Sequence, residues 1–503
     1  MASEFDADAG LIHRGGRLVP AGAPLIETLD PATLAHVGFV AECPAALAED
    51  VAAEAAAAQR AWGRLDARTR AAHLHRVSQS IEETPFDAVA DQMVRDMGKP
   101  WPEATGELAN VAGVFRYYAE LARDEAGKVA GTTEAGSLQM ARYEPYGVSV
   151  HILPYNFPIL LMAWTVAASL AAGNAVIVKP ALPTSLTTLR FMAHFDSLPP
   201  GVVSCVTGGA EAAQALVASP HTHAVAVTGG VATCRAVAEA AGRGLKPCVA
   251  EAGGSDAFIV MPSAPVDAAA AGAVTAAFHL TGQVCTSAER FFVHRDAYDA
   301  FLDAFAAKTR ALRIGTGFEQ AEIGPLVSEA ARAKVMRLVD DAVAKGARVV
   351  TGGRVPPERN VGWFYEPTIL ADVAPGMALM REEAFGPVAA VTAVDSFEEA
   401  LAQANDSPFG LGATLYTHDL AEAMRGAEAL EAGMVWVNNP LIDNDALPFG
   451  GVKQSGFGRS LGRQGLDAFR RAKMVILDRQ ATVKDWWYPY PDDWFHGSAR
   501  GRF

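Results

Sequence analysis

The chain of 503 residues is poor in cysteine, has no excess of basic charge and contains no apolar run long enough to span a bilayer. Its five cysteines are Cys43, Cys205, Cys234, Cys248 and Cys285, an odd count without a C-x-x-C spacing. That argues against a disulfide framework or a zinc site and fits a reducing, cytoplasmic setting. With 42 basic against 57 acidic side chains the formal net charge is −15, so no basic surplus can displace counterions from a nucleic acid. The longest apolar run, residues 159–172, stops at Gly173-Asn174 and reads as a buried helix, so no membrane partner is expected. The first residues are acidic and carry no apolar core, so no secretory signal is expected there. No G-x-G-x-x-G follows a strand-like segment. The glycines of Gly456-Phe457-Gly458-Arg459-Ser460-Leu461-Gly462 have the wrong spacing and position for a nucleotide fingerprint.

Half of the residues are hydrophobic and a fifth are charged, a globular balance in a chain too long for one core. Two large domains are expected. Residues 45–62 and 68–97 show helical spacing with polar faces. From Tyr146 the texture alternates: strands at 148–153, 175–178, 202–206 and 224–227, helices at 159–172, 186–195, 210–218 and 232–241. A second alternating block runs from Asp256 past Val437. This period predicts right-handed βαβ units on parallel sheets, an α/β fold. The end of the chain is crowded with rings: Trp486, Trp487, Tyr488, Tyr490, Trp494 and Phe495, interrupted by Pro489 and Pro491. Proline excludes a helix through the segment. Rings left in water are costly, so the tail either packs along its own subunit or crosses to a neighbour.

The most informative stretch is Gly282-Gln283-Val284-Cys285-Thr286-Ser287-Ala288-Glu289-Arg290, a small-residue turn that presents a thiol between a helix-like segment and a strand. Upstream, Glu251-Ala252-Gly253-Gly254 ends another apolar run. A thiol and a carboxylate base form a nucleophilic set. Pro154-Tyr155-Asn156-Phe157-Pro158 follows a strand-like run, where the Asn156 amide can reach the crevice in which α/β sheets bind ligands. Each further signal is weak alone: Lys179-Pro180 after a strand is usually a solvated lysine, and Thr228-Gly229-Gly230 before a helix is often only a turn. Glycines at a helix N-terminus also let a backbone approach a pyrophosphate.

These motifs occur in order together with Glu383-Ala384-Phe385-Gly386-Pro387 and Pro448-Phe449-Gly450-Gly451-Val452-Lys453-Gln454-Ser455-Gly456. The chain thereby resembles the NAD(P)-dependent aldehyde dehydrogenase superfamily of the hydrolytic type over about residues 145–470. The resemblance implies two Rossmann-like parallel-sheet domains and a small β oligomerisation arm: a cofactor domain at 1–126 and 146–253, a catalytic domain at 254–455, the arm and C-terminal segment at 127–145 and 456–485, and a tail at 486–503. It implies a homodimer or homotetramer, with a small aldehyde as partner and no metal. By resemblance Cys285 attacks the aldehyde, Asn156 and the Cys285 N–H hold the oxyanion, and Glu251 activates the water that hydrolyses the thioester. NAD or NADP would be bound by Tyr155, Lys179, Leu182, Thr228, Gly229, Gly230, Ala252, Glu383 and Phe385. The tunnel would be lined by Phe157, Leu160, Leu161, Trp164, His279, Thr286, Asp443 and Phe449.

Four departures from the family pattern bear on function. Leu182 stands where NAD-preferring members often carry an acid, which makes NADP plausible. Thr-Gly-Ser has become Thr228-Gly229-Gly230, Glu-Leu-Gly-Gly has become Glu251-Ala252-Gly253-Gly254, and Gly-Arg-Glu has become Gly458-Arg459-Ser460. The last removes an acid associated with proton relay from the base. Succinate-semialdehyde-type relatives place an Arg where this chain has Trp164, although Gly253-Gly254-Ser255-Asp256 resembles one bacterial branch of that group. A buried carboxylate without a partner is expensive, so the expected substrate is a polar, amino- or aromatic aldehyde, with succinic semialdehyde as the alternative. His279 and Asp443 taken singly read as solvent-facing or structurally bonded groups; together they suit a polar or cation-tolerant tunnel. A CoA-acylating dehydrogenase is disfavoured by Glu251. A non-catalytic paralogue is disfavoured by the joint presence of Cys285, Asn156, Glu251, Lys179 and Glu383.

Overall fold

A computed structural model of the chain describes residues 5–124, 126–484, 486–490 and 492–496. It divides into a larger unit, residues 1–124 and 145–470, and a smaller one, residues 125–144 and 471–503. Asp485 of the expected C-terminal segment, and Pro491 and residues 497–503 of the expected tail, lie outside the described residues.

The larger unit contains two extended sheets. In the first, Val203–Cys205, Ala175–Lys179, Val148–Ile152, Ala224–Gly229 and Cys248–Ala252 run parallel in that spatial order. The antiparallel hairpin Leu11–Arg14/Arg17–Pro20 closes one edge and Gly456–Phe457 the other. Both Val148–Ile152 and Ala175–Lys179 are buried at every position, because helices cover both faces of a parallel sheet. The order reverses between Val148–Ile152 and Ala224–Gly229, which opens a crevice beyond the strand ends. The second sheet runs Arg348–Thr351, Thr368–Ala371, Val388–Val394, Ala288–His294, Asp256–Val260, Gly412–Tyr416, Met434–Val437. All of its pairings are parallel except that of the first strand. The expected α/β class with two parallel-containing sheets is the class of the molecule.

The first helices are α1 (Ala45–Trp62), α2 (Ala67–Glu83), α3 (Asp87–Met97) and α4 (Trp101–Leu121). The expected helical stretch 68–97 is thus two helices. Thr84 precedes Pro85 and takes an extended conformation (φ −97°, ψ 128°), since the proline ring disfavours helical geometry in the residue before it. Helix α5 (Leu160–Ala172) is buried everywhere but at Leu160, which accounts for its lack of a polar face. Among the described residues, no helix is long and apolar enough to cross a membrane.

The smaller unit holds a three-stranded sheet in the order Arg470–Asp478, Ser137–Pro145, Gly127–Val129. Met474, Ile476 and Leu477 are exposed on its first strand, as are Trp486, Trp487, Tyr488 and Phe495 of the tail. Tyr490 stacks on Trp494 at 5.6 Å between ring centroids.

Candidate active site

Cys285 follows helix Val266–Phe278 and the short turn His279–Gly282. Leu280 (φ 51°) and Thr281 (φ 57°) are left-handed there, a strained turn of the kind that clusters at functional sites. Gly282 also has positive φ, and a side chain on it would collide with the Gly386 carbonyl. The turn is held by the Thr281 hydroxyl donating to Gly324 O (3.1 Å) and by Leu280 N–H donating to Glu103 Oε1 (3.2 Å). Fully buried Gln283 ties the neighbourhood together. Its amide accepts from Val327 N–H (3.0 Å) and donates to Leu280 O (3.3 Å), while its own carbonyl accepts from Asn156 Nδ2 (3.0 Å). Asn156 Oδ1 is buried and has no partner among the described residues.

Glu251 lies near the end of Cys248–Ala252, in register with Thr228 of the adjacent strand. It is buried, with Oε1 at 3.5 Å from the Ser460 hydroxyl and Oε2 without a partner. Burial raises its pKa to about 8, opposed by the Arg459 charge and the Ser460 contact. A side chain on Gly450 would press on Glu251 Oε1, so glycine there leaves room for the carboxyl. Cys285 and Glu251 border one small space with Thr165, Thr228, Trp164, Phe449 and Ser460. Its volume is about 10 Å³, the size of roughly one water. The Cys285 thiol is pushed well above its usual range by burial, and further by Asp256, Asp443, Glu251 and Glu383. It therefore rests protonated until positive charge arrives or the proton is taken.

All eight expected tunnel residues line one cavity of about 480 Å³ together with Cys285, Glu103, Glu107 and Asn110. Trp164 packs on Phe449 at 4.7 Å, and Phe157 stacks on His279 at 6.2 Å. His279 Nδ1 is 3.2 Å from Glu103 Oε1, whose other oxygen is buried without a partner. Burial and Asp445 raise Asp443 to about 6. Among the described residues, neither Arg nor Lys lines the cavity.

A second cavity, of about 1120 Å³, lies over the first sheet and is lined by Lys179, Leu182, Gly209, Gln214, Thr233 and Arg243 among others. Gly230 caps helix Val231–Arg243, whose first turns border the same space. Thr228 instead faces the small space beside Glu251. Ala252 N–H donates to Ser455 O (3.0 Å), and the Ser455 hydroxyl donates to Gly253 O (2.9 Å). Tyr155 meets Phe385 edge-on at 5.9 Å. Glu383 Oε1 accepts from Gly254 N–H (3.0 Å), and burial with the Glu289 charge raises it to about 8. The Glu383 loop is itself clamped by Glu289, which accepts from Ala384 N–H (2.9 Å) and Phe385 N–H (2.8 Å). Neither Glu289 nor Glu42 stood out in the sequence as a site residue. Glu42 accepts from Gly209 N–H (3.0 Å) and acts electrostatically on Lys179, so a carboxylate does stand near the cavity although Leu182 supplies none.

A model described as the aldehyde dehydrogenase family matches residues 19–475. A succinate-semialdehyde dehydrogenase [NADP(+)] of Mycolicibacterium paratuberculosis is 39% identical over 464 residues, 90% of this chain and 96% of that protein. Aminoaldehyde dehydrogenase 1, peroxisomal, of Malus domestica is 36% identical over 485 residues, 93% of this chain and 95% of that one. A crystal structure of betaine aldehyde dehydrogenase from Staphylococcus aureus with NAD+ superposes with a TM-score of 0.91 at 28% identity, covering 95% of this chain and 97% of that one.

Proposed function

The chain belongs to the aldehyde dehydrogenase family, and from that premise we propose that it oxidises a cationic aminoaldehyde to the amino acid, with Cys285 as nucleophile, Asn156 as oxyanion donor and Glu251 as base. Aldehyde oxidation with NAD or NADP is the activity of the family. The Cys285 thiol gives up its proton to the Glu251 carboxylate, which borders the same space and passes it on to solvent, and its sulfur bonds to the carbonyl carbon. The oxygen takes the negative charge, held by the Asn156 amide and the Cys285 N–H. Collapse of the oxyanion releases a hydride and leaves a thioester on Cys285. The small space shared by Cys285 and Glu251 suits the water of the second step. There Glu251 takes a proton from that water, the oxygen bonds to the acyl carbon, the C–S bond breaks and the acid departs.

The 1120 Å³ cavity fits a dinucleotide: it combines a helix N-terminus led by Gly229-Gly230 with Lys179 and an apolar slot over the sheet. Lys179, Leu182, Gly229, Gly230, Glu383 and Phe385 would hold NAD or NADP, which when bound accepts the hydride. Leu182 favours acceptance of a 2′-phosphate and Glu42 opposes it.

The charge of the tunnel carries the substrate assignment. Asp443 and Glu103 line it, aromatic faces of Phe157, Trp164 and Phe449 surround it, and among the described residues no Arg or Lys lines it to pair with a carboxylate. An ammonium group is stabilised by such an acid and aromatic lining, whereas succinic semialdehyde would meet Asp443 and Glu103 in addition to Glu107, the last already paired with Lys99. Four sulfur atoms besides Cys285 remain as free thiols, which supports a reducing, cytoplasmic setting. The apolar residues exposed on Arg470–Asp478 support pairing with further copies, as a dimer or tetramer. The test is NADH and NADPH formation across an aminoaldehyde, a hydroxyaldehyde, benzaldehyde, hexanal and succinic semialdehyde. Highest kcat/KM is expected for the aminoaldehyde; a winning succinic semialdehyde overturns the assignment.

A further inference from the structure

Helix α5 begins without a cap of its own. Its entry, Asn156-Phe157-Pro158-Ile159-Leu160, offers no side-chain oxygen to the first free N–H groups, and Ile159 makes no cap bond. The acceptor comes from another helix. Glu107 of α4 takes Ile159 N–H at 2.8 Å and Leu160 N–H at 3.0 Å on Oε1. Its Oε2 accepts from Lys99 Nζ at 2.5 Å, and both side chains of this ion pair are fully buried. The Lys99 ammonium also sits 4.1 Å from the centre of the Phe157 ring. One buried pair thus grips the segment 157–160 on two sides, immediately after Asn156.

We propose that Glu107, oriented by Lys99, is a positioning residue for the Asn156 amide, so that the oxyanion donor is set by a cap supplied from α4. A carboxylate at a helix N-terminus is favourable in itself, and a buried ion pair as such is often replaceable by apolar side chains of similar volume. What an apolar pair cannot do is accept two N–H bonds and thereby fix where α5 starts. Asn156 has little else to hold it: Nδ2 donates to Gln283 O and Oδ1 has no partner. A donor displaced by about 1 Å costs on the order of 10²-fold in rate. The inference rests on the reading of Asn156 as the oxyanion donor.

Two double variants separate the cap from the charge. K99M/E107Q removes the buried charges but keeps an amide oxygen for Ile159 and Leu160, whereas K99M/E107L removes the acceptor as well. Pre-steady-state hydride release with the best aldehyde of the panel is measured for both, in the wild-type and N156A backgrounds, with melting temperature and cofactor Kd as controls. K99M/E107L is expected to slow the step ~10²-fold with cofactor Kd unchanged, and K99M/E107Q to stay within about threefold of the wild type (~0.7 kcal/mol, where a tenfold change is ~1.4 kcal/mol). In the N156A background the two are expected to react alike, because an effect relayed through Asn156 vanishes once Asn156 is gone. Equal losses in both backgrounds, or equal rates for both variants in the wild-type background, overturn the proposal. Should K99M/E107L not fold, a ~10²-fold loss in folded K99M/E107Q also overturns it, since that variant retains the acceptor. If N156A alone leaves the step unchanged, the oxyanion reading itself fails, and that result is seen separately from the comparison of the double variants.

Discussion

Replacing Asp443 by Asn removes one negative charge from the tunnel while keeping shape and hydrogen-bonding capacity. Asp443 lines the same cavity as Cys285, and its carboxyl, raised to about 6 by burial and Asp445, is ionised at pH 8. An ammonium about 6 Å away at an effective dielectric constant near 20 gains about 3 kcal/mol from that charge. A charge-assisted hydrogen bond is worth about 1.5–3 kcal/mol net. Asp443→Asn should therefore lower kcat/KM for an aminoaldehyde by about 10- to 100-fold, mainly through KM, because the contact is made equally in ground and transition states. Hexanal carries no charge and should change by less than about threefold. Asp443 also raises the Cys285 pKa, so alkylation of the thiol by iodoacetamide at pH 8 should speed up in the variant. The assay is kcat/KM for both aldehydes, side by side. A parallel fall for hexanal would show that the substitution damages the tunnel, and an unchanged aminoaldehyde value would refute the charge argument.

Two other outcomes are expected. Leu182→Glu places a carboxylate at the 2′-position of the cofactor cavity and should lower the NADPH/NADH ratio of kcat/KM; an unchanged ratio would hand cofactor choice to Glu42 or another group. Thioester hydrolysis should rise with pH through a midpoint near 8, since Glu251 is raised to about 8 by burial and acts as a base only when ionised. A hydrolysis rate that is flat from pH 6 to 9 would exclude Glu251 from that step.

Local texture made much of the fold legible. Uninterrupted apolar runs such as 148–152 and 175–179 mark strands covered on both faces, and the apolar segment 159–172 is the buried helix α5. The break at Thr84 was written in Pro85 but was hidden by helical spacing on either side of it. The eight residues expected by resemblance to line a tunnel border one cavity with Cys285. The supports of the site were not legible, because each depends on pairing across the chain. Lys99, in the turn before α4, and Glu107, in α4, grip Phe157 and the start of α5 from some fifty residues upstream, and Glu289 clamps Ala384 and Phe385 from nearly a hundred residues away. A lone Glu in the sequence reads as a solvated charge until the fold shows what it accepts from. Glu42 was missed for the same reason, and with it the carboxylate beside Lys179.

If Cys285 carries the acyl group and Glu251 releases it, blocking the base should trap the thioester. Glu251→Gln mixed with aldehyde and NAD(P) in a single rapid-mixing experiment, followed by intact-protein and peptide mass spectrometry, tests this most directly. A burst of one NAD(P)H per active site, little further turnover, and an acyl adduct on the Cys285 peptide are expected. Steady turnover without a burst, or an adduct on any other residue, would contradict these roles of Cys285 and Glu251.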